Sequence, residues 1–80
     1  MVSNFDREKF QIGIKQVSRA LRDDRAIEVF VALDAEVNVT HRIVELAKEK
    51  DVPIHFVATM NELGRFCHID VGAAAAVIIK

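Results

Sequence analysis

The stretch Ile27-Glu28-Val29-Phe30-Val31-Ala32-Leu33 constrains the fold more than any other part of the chain. Its β-branched and aromatic residues favour an extended strand. Side chains alternate across a strand, so Ile27, Val29, Val31 and Leu33 share one face while Phe30 and Ala32 share the other. A strand that is apolar on both faces has to be covered on both sides. It belongs inside a parallel or mixed sheet with helices above and below.

The neighbouring segments supply those helices. Ile14, Val17 and Leu21 recur at the spacing of one buried helical stripe, and the helix they define ends around Arg22 to Arg25. Asp34 to Asn38 is a loop, and a second helix follows from about Val39 to Lys50, capped by Asn38, with Val39, Ile43, Leu46 and Ala47 inward. Asp51-Val52-Pro53 turns the chain into a second strand, Ile54 to Val57. Thr59-Met60-Asn61-Glu62 has the form of a capping box and opens a short helix through Cys67. His68 to Gly72 is a loop, and Ala73 to Ile79 a last strand whose small residues let a helix lie close. At the other end, Ser3 or Asn4 caps a first short helix that buries Phe5 and Phe10, and Gln11-Ile12-Gly13 breaks it. Helices and strands alternate with no Gly/Ser linker and no internal repeat. This predicts one domain over residues 1–80, an α/β fold built as a three-layer α/β/α sandwich around a mixed sheet of about four strands.

Composition sets limits on function. With 51% hydrophobic and 29% charged residues, the 80-residue chain is globular. Its net charge of -1 speaks against a uniformly basic nucleic-acid binder. The positive charge clusters between Lys15 and Arg25, however, while acids dominate from Glu28 to Glu36, which permits a local electropositive patch. The single cysteine, Cys67, allows no internal disulfide. The first ten residues hold no apolar signal core, and the run Val71 to Ile79 falls far short of the roughly 20 residues that span a bilayer. The expectation is a soluble cytoplasmic protein with no membrane partner.

A catalytic reading finds little support. Cys67 and His68 are adjacent, but a nucleophile and its base need spatial geometry and an orienting third group. His41 falls on an early helical turn, and His55 between Ile54 and Phe56 in a strand. The scattered histidines and Cys67 have no metal-ligand spacing, and no glycine-rich loop cradles a phosphate. Asp34 and Glu36 read as solvated loop carboxylates. The chain is therefore expected to be no enzyme and to need no metal or cofactor.

The start of the Gly13 helix is more informative. Lys15, Arg19 and Arg22 sit at i, i+4 and i+7 on one outward stripe, and no acid lies between Ile12 and Arg22. Gly13 stands where the helix begins and lets a large partner approach the free backbone N–H groups. Those groups and the helix dipole favour an anion. A solvated basic face and a phosphate-docking surface are both compatible with this stretch.

The chain resembles the kink-turn RNA-binding proteins of the ribosomal L-seven-Ae and L-thirty-e type, most of all their short bacterial members. Gly13-Ile14-Lys15-Gln16-Val17-Ser18-Arg19-Ala20-Leu21 is similar to the family's glycine-led recognition helix, and Val31-Ala32-Leu33-Asp34-Ala35-Glu36 to its strand and acidic loop. The segment from Leu63 through Ile69-Asp70-Val71-Gly72 to Ala75 is similar to its closing helix, recognition loop and small-residue strand. The resemblance implies a binder of bent internal loops with tandem sheared G·A pairs. Lys15 and Gln16 would reach guanine edges, Gly13 would allow close approach, Ile14 would belong to the same RNA-binding surface, and Arg19 would lie near the phosphates. Asp34 would belong to the same interface, and Ile69, Asp70, Val71 and Gly72 would cover the looped-out nucleotides. The chain departs from the family pattern in carrying Lys15-Gln16 where archaeal and eukaryotic members have Asn-Glu. It also has His68 at a helix end where glycine is usual.

The expected partner is thus structured RNA containing a kink-turn, ribosomal or regulatory, bound by a monomer, with no DNA partner. The alternative is a protein-interaction module on the same fold, which the absence of net positive charge favours. A small enzyme using Asp34, Glu36 or Cys67 ranks below both.

Overall fold

The computed structural model describes residues 9–80. The elements follow in the order β1 (Phe10–Ile12), α1 (Ile14–Arg22), β2 (Ala26–Ala32), α2 (Val37–Glu49), β3 (Ile54–Val57), α3 (Met60–Phe66) and β4 (Ala75–Ile79). The four strands form one mixed sheet in the order β1-β4-β2-β3. β2 and β3 run parallel through the α2 crossover, whereas β4 is antiparallel to both β1 and β2.

The doubly apolar β2 has the environment its sequence requires. Val29 and Val31 join Val17, Ala20, Leu21, Ile43, Ala47, Ala75, Val77 and Ile79 in a core beneath α1 and α2. Phe30 and Ala32 point the other way, into a second core with Phe10, Leu63, Cys67 and Ala76 beneath α3. Helices on both faces of a mixed sheet make the expected α/β/α sandwich. Leu21 and Ile43 are fully buried, and burial of such a side chain contributes about 1.5–3 kcal/mol. At the edge of the second core the exposed Phe66 ring lies 5.1 Å from Phe30 and 5.7 Å from Phe10 between centroids.

Several boundaries differ from the sequence reading. The expected cap at Ser3 or Asn4 and the burial of Phe5 lie outside the described residues. Phe10 is buried but belongs to a strand, not a helix: β1 pairs antiparallel with β4, Phe10 opposite Ile78 and Ile12 opposite Ala76. Ile27 and Leu33 do not continue the inner face of β2. The register shifts between Ala26 and Glu28, so two residues oppose one, and the bulge leaves Ile27 45% exposed. Leu33 lies past the strand end and is 63% exposed. α2 begins at Val37, with Glu36 as its N-cap, so Asn38 is an exposed residue inside the helix. The buried Thr40 hydroxyl donates to the Glu36 and Val37 carbonyls of that first turn. Thr59 does cap α3, its Oγ1 accepting from the Glu62 N–H at 3.0 Å. β4 starts at Ala75, two residues later than expected.

The helices α1, α2 and α3 end in the same way. Asp24, Asp51 and His68 have φ of 58°, 58° and 61°, each directly after its helix's C-cap residue. At each exit the paired 6→1 and 5→2 bonds of a Schellman motif close the helix. They are Arg25 N–H to Ala20 and Asp24 N–H to Leu21, then Val52 to Ala47 and Asp51 to Lys48, and finally Ile69 to Gly64 and His68 to Arg65. His68, at a helix end where the family usually carries glycine, holds the left-handed conformation itself.

Gly64 serves a different purpose. A Cβ added there would lie 2.1 Å from the Val71 carbonyl oxygen, so only glycine lets the loop after α3 close onto the helix.

Two stability measurements follow from this packing. Gly64→Ala improves helix propensity by about 1 kcal/mol, yet the backbone collision should outweigh that gain. A net loss of about 1–3 kcal/mol is expected in chemical denaturation. Asp51→Gly removes a left-handed side chain on the exposed exit of α2 and should stabilise by about 0.5 kcal/mol, raising the melting temperature by roughly 2–4 °C. A stable Gly64→Ala or a destabilised Asp51→Gly would contradict the respective account.

Candidate nucleic-acid interface

The first turn of α1 leaves its backbone donors open. Gly13 is the N-cap, at φ 113°, and makes no side-chain cap hydrogen bond. Only glycine holds that conformation without strain. Its own N–H donates to the Ala75 carbonyl at 3.0 Å, and its carbonyl accepts from Val17 at 3.0 Å. No acid lies in the first turn, so nothing there offsets the positive end of the helix dipole. Lys15 and Gln16 are exposed beside it, and Ile14 is half-buried against the core under α1 and α2.

The loop that follows α3 meets the same end of the sheet. The Ile12–Ala76 pair and the Gly13–Ala75 bond place the start of α1 beside the start of β4. On the other flank of β4, the Ala32 N–H donates to the Ala74 carbonyl at 2.9 Å, which brings in the end of β2 and Asp34. Ile69 is half-buried against the core under α3, whereas Asp70, Val71 and Gly72 are exposed, Val71 at 68%. Gly13, Ile14, Lys15 and Gln16, Asp34, and residues 69–72 are thus gathered around one end of β4.

Asp34 has a structural task within this group. Its Oδ1 accepts from the Met60 N–H at 2.7 Å, which fastens the end of β2 to the first turn of α3. The Met60 carbonyl in turn accepts from Ala73 at 3.1 Å. The loop is therefore clamped at both ends, by the Schellman closure on α3 and by the Met60 peptide.

A groove of about 590 Å³ runs along α1, and five cations line it: Lys15, Arg19, Arg22, Arg25 and Arg42. No acid is among its lining residues. Among the described residues the Lys50–Asp24 ion pair and the His41–Glu45 and His55–Glu28 contacts lie elsewhere. The sequence points to Lys15 and Arg19 as contact residues. It does not point to Arg25 or Arg42, since one sits in the turn after α1 and the other on α2. No spacing within one helix joins them to the Lys15 stripe.

The groups weighed for catalysis are dispersed. Cys67 is buried in the core under α3, and burial pushes its thiol up to about 11, so the nucleophilic thiolate is not formed near neutral pH. His41 is exposed and 3.0 Å from Glu45. His55 stacks on Phe30 with ring centroids 5.1 Å apart. Asp34 is engaged with the first turn of α3. Among the described residues, no group of three His, Cys, Asp or Glu side chains could hold a metal ion. No helix among them is long and apolar enough to cross a membrane.

The sequence and the fold have relatives among known proteins. An RNA-binding protein of Geobacillus sp. strain WCH70 is 46% identical over 72 residues, covering 90% of this chain and 88% of the relative. The RNA-binding protein YbxF of Geobacillus stearothermophilus is 43% identical over the same shares. Among solved structures, a 15.5 kD RNA-binding protein of Giardia lamblia superposes with a TM-score of 0.85 at 26% identity; 91% of this chain is covered, and it spans 62% of the Giardia chain. A Bacillus halodurans protein of unknown function has the same fold, with a TM-score of 0.82 at 16% identity, over 91% of this chain and 73% of its own. Residues 4–80 match the ribosomal protein L7Ae/L30e/S12e/Gadd45 family, and the chain belongs to that family.

Proposed function

We propose that this chain is a non-catalytic RNA-binding protein that recognises a kink-turn and stabilises the bent RNA by binding it preferentially. The observation that carries the reading is the meeting of two distant segments, the open first turn of α1 and residues 69–72, around the start of β4. The family membership and the RNA-binding relatives support it.

In this reading the groove end of α1 enters the distorted major groove beside the sheared G·A pairs. The Lys15 ammonium donates to guanine O6 or N7, and the Gln16 amide donates or accepts at a neighbouring base edge. Gly13, without a side chain, admits the backbone of the RNA to the free N–H groups. Arg19 pairs with a phosphate. Val71 and Ile69 offer an apolar surface to a base splayed out at the bend, bordered by Gly72, while Asp70 accepts from a base amine. Asp34 holds this loop in place through Met60. The protein would act as a cytoplasmic monomer on ribosomal or regulatory RNA, with no cofactor.

A protein-interaction role is favoured by one feature. Leu33, Val37 and Phe56 are each more than half exposed and line a cleft of about 210 Å³ beside the open β3 edge. A partner-dependent mass with no affinity for RNA would select that reading instead.

The deciding experiment is a titration against a short duplex carrying a kink-turn, and against the same RNA with Watson–Crick pairs in place of the G·A pairs. Binding to the first, lost on the second, is expected. Lys15→Ala and Gln16→Ala should each weaken kink-turn binding by about 1–3 kcal/mol while leaving thermal stability within about 0.5 kcal/mol. Unchanged affinity in both variants would remove the assignment.

A further inference from the structure

The cationic groove extends well beyond the end of α1 that base recognition uses. Lys15, Arg19 and Arg22 form a stripe about 10 Å long at the helical rise of 1.5 Å per residue. Arg25 continues it from the turn, and Arg42 joins from the neighbouring α2. Five like charges in one concavity repel each other and cost stability unless an anion occupies it. The acids closest in sequence do not neutralise them: neither Asp23 nor Asp24 lines the groove, and Asp24 is paired with Lys50 at 3.1 Å. The groove is also too long for a single small anion. Four of its five cations are arginines, whose planar forks suit bidentate contact with phosphate oxygens. The chain as a whole is slightly acidic, so this concentration of charge is local.

We propose that this groove carries the phosphate backbone of the helical stem adjoining the kink, over roughly three base pairs. Arg22, Arg25 and Arg42 then form a second, sequence-independent grip that sets the direction of the stem relative to the bend. The proposal rests on the kink-turn reading for what lies at the Lys15 end of the groove.

The test measures binding against monovalent salt for the intact chain and for Arg22→Gln/Arg25→Gln/Arg42→Gln. The probes are a kink-turn with a long stem, the same kink with that stem trimmed to one base pair, and an unkinked duplex. Each phosphate contact adds about 0.9 to the slope of log affinity on log salt. The variant should lose between two and three from that slope on the long-stem RNA, about the same amount that trimming removes from the unmodified chain. On the trimmed RNA the two proteins should bind alike. The triple lysine replacement should restore most of the slope, which separates lost charge from a damaged fold. Equal slopes for the unmodified chain and the glutamine variant on the long-stem RNA would overturn the proposal. So would an equal loss on both kinked RNAs, or no binding to any probe. The two readings can fail separately: slope loss on the long-stem RNA and the unkinked duplex but not on the trimmed RNA, without preference for the kink, removes kink recognition and keeps the groove as a duplex track. A retained kink preference with unchanged slopes does the reverse.

Discussion

The narrow strand β4 sets the geometry of everything around it. It is hydrogen-bonded to β1 on one side and β2 on the other, with α1 and α2 over one face and α3 over the second. Ala75, Ala76 and Val77 are all completely buried. Small side chains there bring both helical layers close to the sheet, at the expense of apolar area per residue. The larger residues of the neighbours restore that area: Val29 and Val31 on one face, Phe10 and Phe30 on the other. Because β4 begins at Ala75, the Gly13 bond to Ala75 and the Ala32 bond to Ala74 converge on the same few peptides. The candidate interface is a by-product of that convergence.

Much of this was legible from local patterns. The two-residue period of β2 specified a sheet covered on both sides, the Ile14-Val17-Leu21 spacing specified α1, and Thr59 with Glu62 specified the start of α3. What escaped was non-local. β1 has only three residues, too few to show a period, and it exists as a strand because β4 supplies its partner. The bulge at Ile27 depends on pairing with Ile78 and Ile79, and nothing in Ile27 itself announces it. Glu36, not Asn38, stands at the N-cap of α2 because its carbonyl already accepts from the Val39 and Thr40 N–H groups, which starts the helix before Asn38. Within the candidate site, Lys15 and Gln16 could be named from the helix start. Arg42 could not, as its place in the groove depends on α2 packing beside α1. Gly64 could have been noticed as an oddity, a glycine inside a short helix, but its reason is a carbonyl seven residues away.

Net charge was a poor guide for a related reason. A total of -1 averages over a surface on which Lys15, Arg19, Arg22, Arg25 and Arg42 share one concavity and the acids lie outside it. The fold separates the signs. α1 ends at Asp23-Asp24, and the left-handed turn at Asp24 brings Arg25 back to bond with Ala20. Asp24 meanwhile pairs with Lys50 at the exit of α2. Electrostatic character at the scale of a partner's contact surface is thus a tertiary property here.

The clamped loop after α3 has one more consequence. Its first peptides are committed to Gly64 and Arg65, its last to Met60, and Met60 is held from behind by Asp34. Gly64 leaves no gap beneath Val71 into which the backbone could sink. A surface anchored in this way behaves as a mould: it has little shape of its own left to choose. Whatever settles against it must do the adapting, and the ordering entropy of the encounter falls on the guest, not the host.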